Sequence, residues 1–157
     1  MRIAIAADHN GVAAKAALVR WLTDRGHTVD DRGAGAGDGE VDYPPLCADV
    51  CRLVRAGAAD RGIMLGGSGL GETVACNRFR GIRAGLCRDV WSARISRGNN
   101  DSNVLVLAAK VTGRAAVEEI TEAWLATGFK GGVHARRLRQ IADIEAAEAA
   151  RDSDPRG

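Results

Sequence analysis

The stretch Leu65-Gly66-Gly67-Ser68-Gly69-Leu70-Gly71-Glu72-Thr73 combines a run of small residues with a single carboxylate. It follows an apolar run that reads as a strand and opens a run that reads as a helix. Backbone N–H groups of such a loop converge on an anion at the helix N-terminus, where the macrodipole helps. Three well-known glycine loops do not fit it. The phosphate-loop frame Gly-x-x-x-x-Gly-Lys-Ser/Thr is met at Gly66, Gly71 and Thr73, but Glu72 replaces the lysine and puts negative charge where a nucleotide's phosphates would sit. The dinucleotide fingerprint belongs after the first strand, where the chain has Ala7-Asp8-His9-Asn10-Gly11, and the glycine spacing here differs from it. A nucleophile elbow needs glycine at position 70, which is Leu70. What remains is a cup of donors with a carboxylate at its lip. That pairing suits proton abstraction next to a carbonyl: Glu72 takes the proton while the N–H groups hold the enediolate oxygen. The same residues also fit a plainer reading, in which Glu72 is a first-turn acid favoured by the helix dipole.

Four more polar clusters belong at the ends of elements. Asp8-His9 directly follows the first strand, Asn99-Asn100-Asp101 precedes the fifth, and Lys110 follows the fifth. His134 and Arg137 share a helix face at i,i+3. An open α/β sheet binds ligands at the carboxyl ends of its strands, so the topology is expected to bring these clusters together. A lone histidine serves as readily as a surface or capping residue. His27, after Gly26, reads as structural, and Trp21, Trp91 and Trp124 on amphipathic runs read as core or interface.

The elements that must hold these groups are legible as short β-branched runs alternating with longer amphipathic ones, the pattern of a parallel sheet with crossover helices. Five strands are expected, at residues 2–7, 27–31, 61–65, 82–87 and 103–108. Helices are expected from near Gly11, Pro44, Gly71, Val90 and Gly113, and a last one over residues 134–150 with Leu138, Ile141, Ile144 and Ala147 on one face. That apolar stripe needs cover from its own domain or from a second subunit. The glycine-rich connection at residues 33–40 lacks an apolar anchor and reads as a mobile loop that could close over a site. With 157 residues, 46% apolar and 27% charged side chains and a net charge of +2, the chain is expected to form a single domain over residues 1–150 followed by a frayed tail at 151–157. The near-neutral balance argues against nucleic acid as a partner. No apolar run approaches the roughly 20 residues of a membrane span, and the chain opens on a strand rather than a leader, so a cytoplasmic protein without membrane contact is expected. Cys47, Cys51, Cys76 and Cys87 form no Cys-x-x-Cys pair and read as reduced core thiols, with no zinc or other metal expected.

Taken together, Ala7-Asp8-His9-Asn10-Gly11, Asp42-Tyr43-Pro44, the loop at residues 66–72, Asn77-Arg78-Phe79-Arg80-Gly81-Ile82-Arg83-Ala84, Asn100-Asp101-Ser102-Asn103-Val104-Leu105 and Gly131-Gly132-Val133-His134 resemble the ribose-5-phosphate isomerase B and galactose-6-phosphate isomerase family. The resemblance runs from Met1 to about Glu145. It implies a Rossmann-like three-layer α/β/α subunit whose C-terminal helix packs at a dimer interface. It also implies active sites built from both protomers, a homodimer with further pairing into a tetramer left open, and isomerisation of an aldose to a ketose through a cis-enediol with no cofactor. In one branch of the family a cysteine at the start of the glycine loop is the base. Here that position is Gly66, and Glu72 matches the base of the other branch. By the same match Ser68 and Asn100 would hold the enediolate, and Asp8 would bind sugar hydroxyls. Tyr43, Gly67, Gly69, Leu70 and Gly71 would line the substrate, and His9, Lys110, His134 and Arg137 would take its phosphate.

Three positions depart from that pattern. A ring-opening histidine is common at 99, and Asn99 exchanges no proton near neutral pH. An arginine is expected at 110, and Lys110 keeps the charge but loses the bidentate fork. An arginine is expected at 133, and Val133 supplies neither. The expected activity is therefore isomerisation of a sugar phosphate, ribose 5-phosphate to ribulose 5-phosphate by default. A tetrose phosphate, a hexose phosphate or a free sugar is the close alternative. A non-catalytic nucleotide- or sugar-phosphate-binding module is the rival from a different class.

Overall fold

Strands β1 (Arg2–Ala7), β2 (Thr28–Asp31), β3 (Arg61–Gly66), β4 (Ala84–Leu86) and β5 (Val104–Ala108) alternate with helices α1 (Val12–Asp24), α2 (Tyr43–Arg55), α3 (Leu70–Cys76), α4 (Val90–Asn100) and α5 (Arg114–Ala126). A last helix, α6 (Val133–Asp152), closes the described chain. The computed structural model describes residues 1–152. Of the expected tail, Arg151 and Asp152 belong to α6, and residues 153–157 lie outside the described residues. All five strands pair in parallel, in the order β2-β1-β3-β5-β4.

The period-2 alternation of the central strands divides the core into two layers. Ile3, Ile5, Ile63, Leu65, Leu105 and Leu107 face Leu18 and Leu22 of α1 and Val117, Ile120 and Trp124 of α5. Ala4, Ala6, Met64, Val104 and Val106 face Cys47, Val50 and Cys51 of α2 and Cys76 of α3. Covering on both faces is why β3 and β5 read as unbroken apolar runs. All four cysteines are buried free thiols.

Chain order reverses between β1 and β3: β1 leads to β2 on one side, whereas β3 leads to β5 and β4 on the other. The crevice at their carboxyl ends is the switch point where such sheets bind ligands.

Several elements differ from expectation for identifiable reasons. β4 is shorter, because the Ile82 N–H closes a turn onto the Phe79 carbonyl and the Arg83 N–H donates to Asn103 Oδ1 rather than to a neighbouring strand. β2 begins one residue later, because the His27 N–H still bonds back to Leu22. The loop at residues 33–40 does have an apolar anchor. Ala34 is buried, its N–H donates to the Ala7 carbonyl at 2.9 Å, and the Gly33 N–H donates to Asp31, which is itself paired with the buried Lys15. Trp124 is core and Trp21 is half-buried beneath Arg25, but Trp91 is 71% exposed on α4.

A buried polar relay runs between α4 and α5, which pack in the same layer. Trp124 Nε1 donates to Ser102 Oγ at 2.8 Å, and Ser96 and Ser102 share a hydrogen bond of 2.6 Å. This ties α5 to the end of α4. Trp124→Phe keeps the ring but removes the donor, and is expected to lower stability by about 1–3 kcal/mol. The check is a lower urea midpoint at unchanged slope.

Candidate active site

At the carboxyl edge, β3 ends on Gly66 and the chain turns into α3 through Gly67, Ser68 and Gly69. Gly69 caps the helix at φ +73°, a left-handed conformation that glycine adopts without strain. Ser68 Oγ accepts from the Leu70 N–H at 3.3 Å, and Thr73 Oγ1 donates to the Gly69 carbonyl at 2.7 Å, so both hydroxyls stiffen the turn. The first N–H groups of a helix have no intrahelical acceptor, which leaves donors beside the loop.

Glu72 lies in this first turn and is 3% exposed. Its carboxyl group folds back over Gly66, and a methyl group built on Gly66 would fall inside it. Burial pushes the Glu72 carboxyl above its ordinary range. Its own backbone N–H pulls it down, and the negative charge of Asp8 pushes it up again. A solvated first-turn acid would stand exposed, whereas Glu72 is buried.

The first strand delivers its residues to the same place. Asp8, 5% exposed, is tied to β3 by its N–H on the Leu65 carbonyl at 3.3 Å. Its two carboxylate oxygens accept from the Asn10 N–H and from Asn10 Nδ2, both at 2.9 Å. Asn10 Nδ2 also meets His9 Nε2 at 3.1 Å, and His9 Nδ1 meets the Val41 carbonyl at 3.3 Å. The Val41 N–H donates to the same Nδ1 at 3.3 Å, so the imidazole is held between the Asn10 amide and the Val41 backbone. Asn10 thus orients two candidate ligands, a role its sequence neighbourhood does not signal.

Tyr43, at the start of α2, packs over Gly71, where an added Cβ would lie 2.6 Å from the phenol oxygen. Lys110 follows β5. Its N–H donates to the Gly67 carbonyl at 3.1 Å, and its stem and Asn10 both lie over Gly67. Asp8, His9, Tyr43, Gly67, Ser68, Gly69, Leu70, Gly71, Glu72 and Lys110 therefore share one crevice.

The other candidates do not join them within one chain. Asn99 and Asn100 end α4, which runs back to the amino edge of the sheet. There Arg83 Nε donates to the Asn100 carbonyl at 3.0 Å. Asp101 caps α4 in a left-handed conformation and binds Arg97 at 2.9 Å and Arg83 at 2.7 Å, which fixes this corner. His134 and Arg137 belong to the first turns of α6, which starts at the same edge, with the Lys130 N–H on the Gly98 carbonyl at 3.0 Å. Strands of five to six residues separate the two edges by roughly 17–20 Å, longer than a small sugar phosphate. Within one chain the polar clusters thus stand in two groups, one at each edge of the sheet.

A sequence profile described as Ribose/Galactose Isomerase matches residues 3–141. The chain belongs to this family. Ribose-5-phosphate isomerase B of Escherichia coli is 38% identical over 144 residues, covering 92% of this chain and 96% of that protein. D-erythrulose-4-phosphate isomerase of Pectobacterium atrosepticum is 33% identical over 148 residues, covering 94% and 97%. Among solved structures, ribose-5-phosphate isomerase B of Clostridium thermocellum superposes with a TM-score of 0.91 at 40% identity, covering 94% of this chain and 99% of that one. The family confirms an isomerase and the Rossmann-like α/β architecture. Among the described residues no helix is long and apolar enough to cross a membrane, and no cluster of three or more His, Cys, Asp or Glu side chains could hold a metal ion.

Gly66→Ala is expected to push the Glu72 carboxyl towards solvent, relieve its burial and bring its pKa down towards the ordinary glutamate range. Carboxyl-carbon NMR titration of both proteins measures this. A Glu72 that titrates ordinarily in the parent would contradict the burial account.

Proposed function

We propose that the protein interconverts an aldose phosphate and a ketose phosphate through a cis-enediol, with Glu72 as the base. The observation that carries this reading is the buried Glu72 carboxyl, held over Gly66 beside a loop of N–H donors. Glu72 removes the proton from the carbon next to the carbonyl. The electron pair moves onto the carbonyl oxygen, which Ser68, the loop N–H groups and Asn100 stabilise. A proton passes between the two substrate oxygens, and Glu72 returns its own to the neighbouring carbon. Asp8 holds sugar hydroxyls, while His9, Lys110, His134 and Arg137 hold the phosphate. A negative Glu72 beneath the loop disfavours a polyphosphate ligand, which counts against a nucleotide-binding module.

The site would be completed by a second copy of the chain. On α6, Ile141 and Ile144 are 59% and 63% exposed, and on α3 Leu70 and Val74 stand exposed on either side of Glu72. Of the expected stripe on α6, Leu138 is half-buried against its own chain, whereas Ile141, Ile144 and Ala147 are left exposed. Burying both apolar faces in one two-fold interface brings the amino edge of one copy to the carboxyl edge of the other. Each domain of residues 1–150 would then contribute half of each site, in a homodimer that could pair further into a tetramer.

Ribose 5-phosphate to ribulose 5-phosphate is the reference reaction, supported by the Escherichia coli and Clostridium relatives. A tetrose phosphate is a second reading, favoured by Asn99, which cannot open a ring, and by the Pectobacterium relative. A specificity constant at least tenfold higher for a tetrose phosphate would select it.

Glu72→Gln is expected to lower kcat at least ~100-fold with little change in KM. In the parent, kcat/KM should rise with pH through the raised pKa of Glu72, because only the ionised form is a base. Linkage gives the matching stability sign. A carboxyl group whose pKa is higher in the folded state destabilises the fold as pH rises from the unfolded towards the folded value, so Glu72→Gln is expected to be more stable than the parent at neutral pH. An active Glu72→Gln would overturn the mechanism. Ile141→Glu combined with Ile144→Glu is expected to give an inactive monomer of unchanged helix content, measured by sedimentation equilibrium and circular dichroism.

A further inference from the structure

One cation at the amino edge, Lys130, has no part in the mechanism above. It sits in the short link between α5 and α6, and its stem crosses Gly98 so closely that a Cβ there would meet Lys130 Cε at 3.1 Å. Its N–H donates to the Gly98 carbonyl at 3.0 Å, and its ammonium donates to Asn99 Oδ1 at 3.0 Å. Backbone and side chain of Lys130 thus grip the same two residues, and the missing side chain at Gly98 makes the crossing possible.

The donor identity fixes the amide. An ammonium has three donors and no lone pair, so only the oxygen of Asn99 can face it, and the two N–H donors of Asn99 must turn the other way. Freed from Lys130, the amide could rotate and offer its acceptor as readily as its donors. We propose that Lys130 is a positioning residue that locks Asn99 as a hydrogen-bond donor to an oxygen of the bound sugar phosphate. The role rests on the two-copy isomerase site argued above, since Asn99 meets substrate only from the opposing half. Arg83 and Arg97 at this corner are held by Asp101, so the cation that faces the Asn99 side chain is Lys130.

The test uses ribose 5-phosphate as substrate and four variants. Lys130→Met keeps the stem over Gly98 and removes the donors. It is expected to raise KM about tenfold, the worth of one hydrogen bond, with kcat, melting temperature and subunit mass unchanged. Lys130→Arg restores a donor and should stay within about twofold of the parent. In an Asn99→Ala background, Lys130→Met should cost nothing further, because Lys130 acts only through the amide. An unchanged KM in Lys130→Met overturns the proposal. So does an additive loss in the double variant, which would mean that the ammonium touches substrate directly. A readout independent of turnover is the Asn99 side-chain amide resonance, expected to shift in Lys130→Met and to return in Lys130→Arg. No shift means that the pair does not form in solution, and the proposal falls whatever the kinetics. A parent that turns over no sugar phosphate while the resonance behaves as expected overturns the isomerase reading and the role built on it, leaving only the contact.

Discussion

A carboxyl group buried to 3% exposure at the end of a parallel strand costs free energy to ionise, and the carboxyl edge of this sheet is arranged around that cost. β3 gives up its last side chain at Gly66, and the Glu72 carboxyl occupies the space. Glycine at 66 and an inward glutamate at 72 are thus one feature, because any side chain at 66 displaces the acid. Asp8, the second acid in the crevice, is held differently: both of its oxygens accept from Asn10, and its own N–H is tied to β3. The two carboxyl groups thus stand side by side in different surroundings, one buried over glycine and one saturated by an amide, and in the proposed mechanism they take different roles.

The rest of the fold serves to keep that edge rigid. Two core layers pack the central strands from both sides, and the Trp124–Ser102–Ser96 relay fastens α5 to α4. At the opposite edge Asp101 joins Arg97 of α4 to Arg83 of the turn before β4, so Asn99 and Asn100 sit on a fixed corner. Both edges are ordered by charge-assisted bonds that the hydrophobic layers could not provide alone.

The five strands, their crossover helices and the importance of the 66–72 loop were all visible in the sequence, because period and glycine placement report directly on backbone geometry. Short-range details were less visible. The late start of β4 depends on Asn103, twenty residues from Arg83, and the anchoring of the 33–40 loop depends on a single buried alanine. Among site residues, Glu72 and Asp8 could be placed by the strand they follow. Asn10 was missed because its contribution lies in where its amide points. The polar clusters were expected to meet because each borders a strand, but bordering its start and bordering its end are opposite places, and His134 and Arg137 follow a helix back to the wrong edge for a single-chain site.

That separation changes how α6 should be understood. A terminal helix that buried its stripe on its own sheet would fix His134 and Arg137 roughly a strand's length from Glu72 with no means of approach. By standing off with Ile141 and Ile144 exposed, α6 forgoes burial worth roughly 1.5–3 kcal/mol for each large apolar side chain. In the proposed two-fold pairing that burial is recovered twice over, once on each subunit, as the two edges are brought face to face. In the proposed assembly the hydrophobic term that stabilises the pair is therefore the same term that builds the site. Loss of pairing would disable the chemistry even though Glu72, Asp8 and the loop remained in place within each chain.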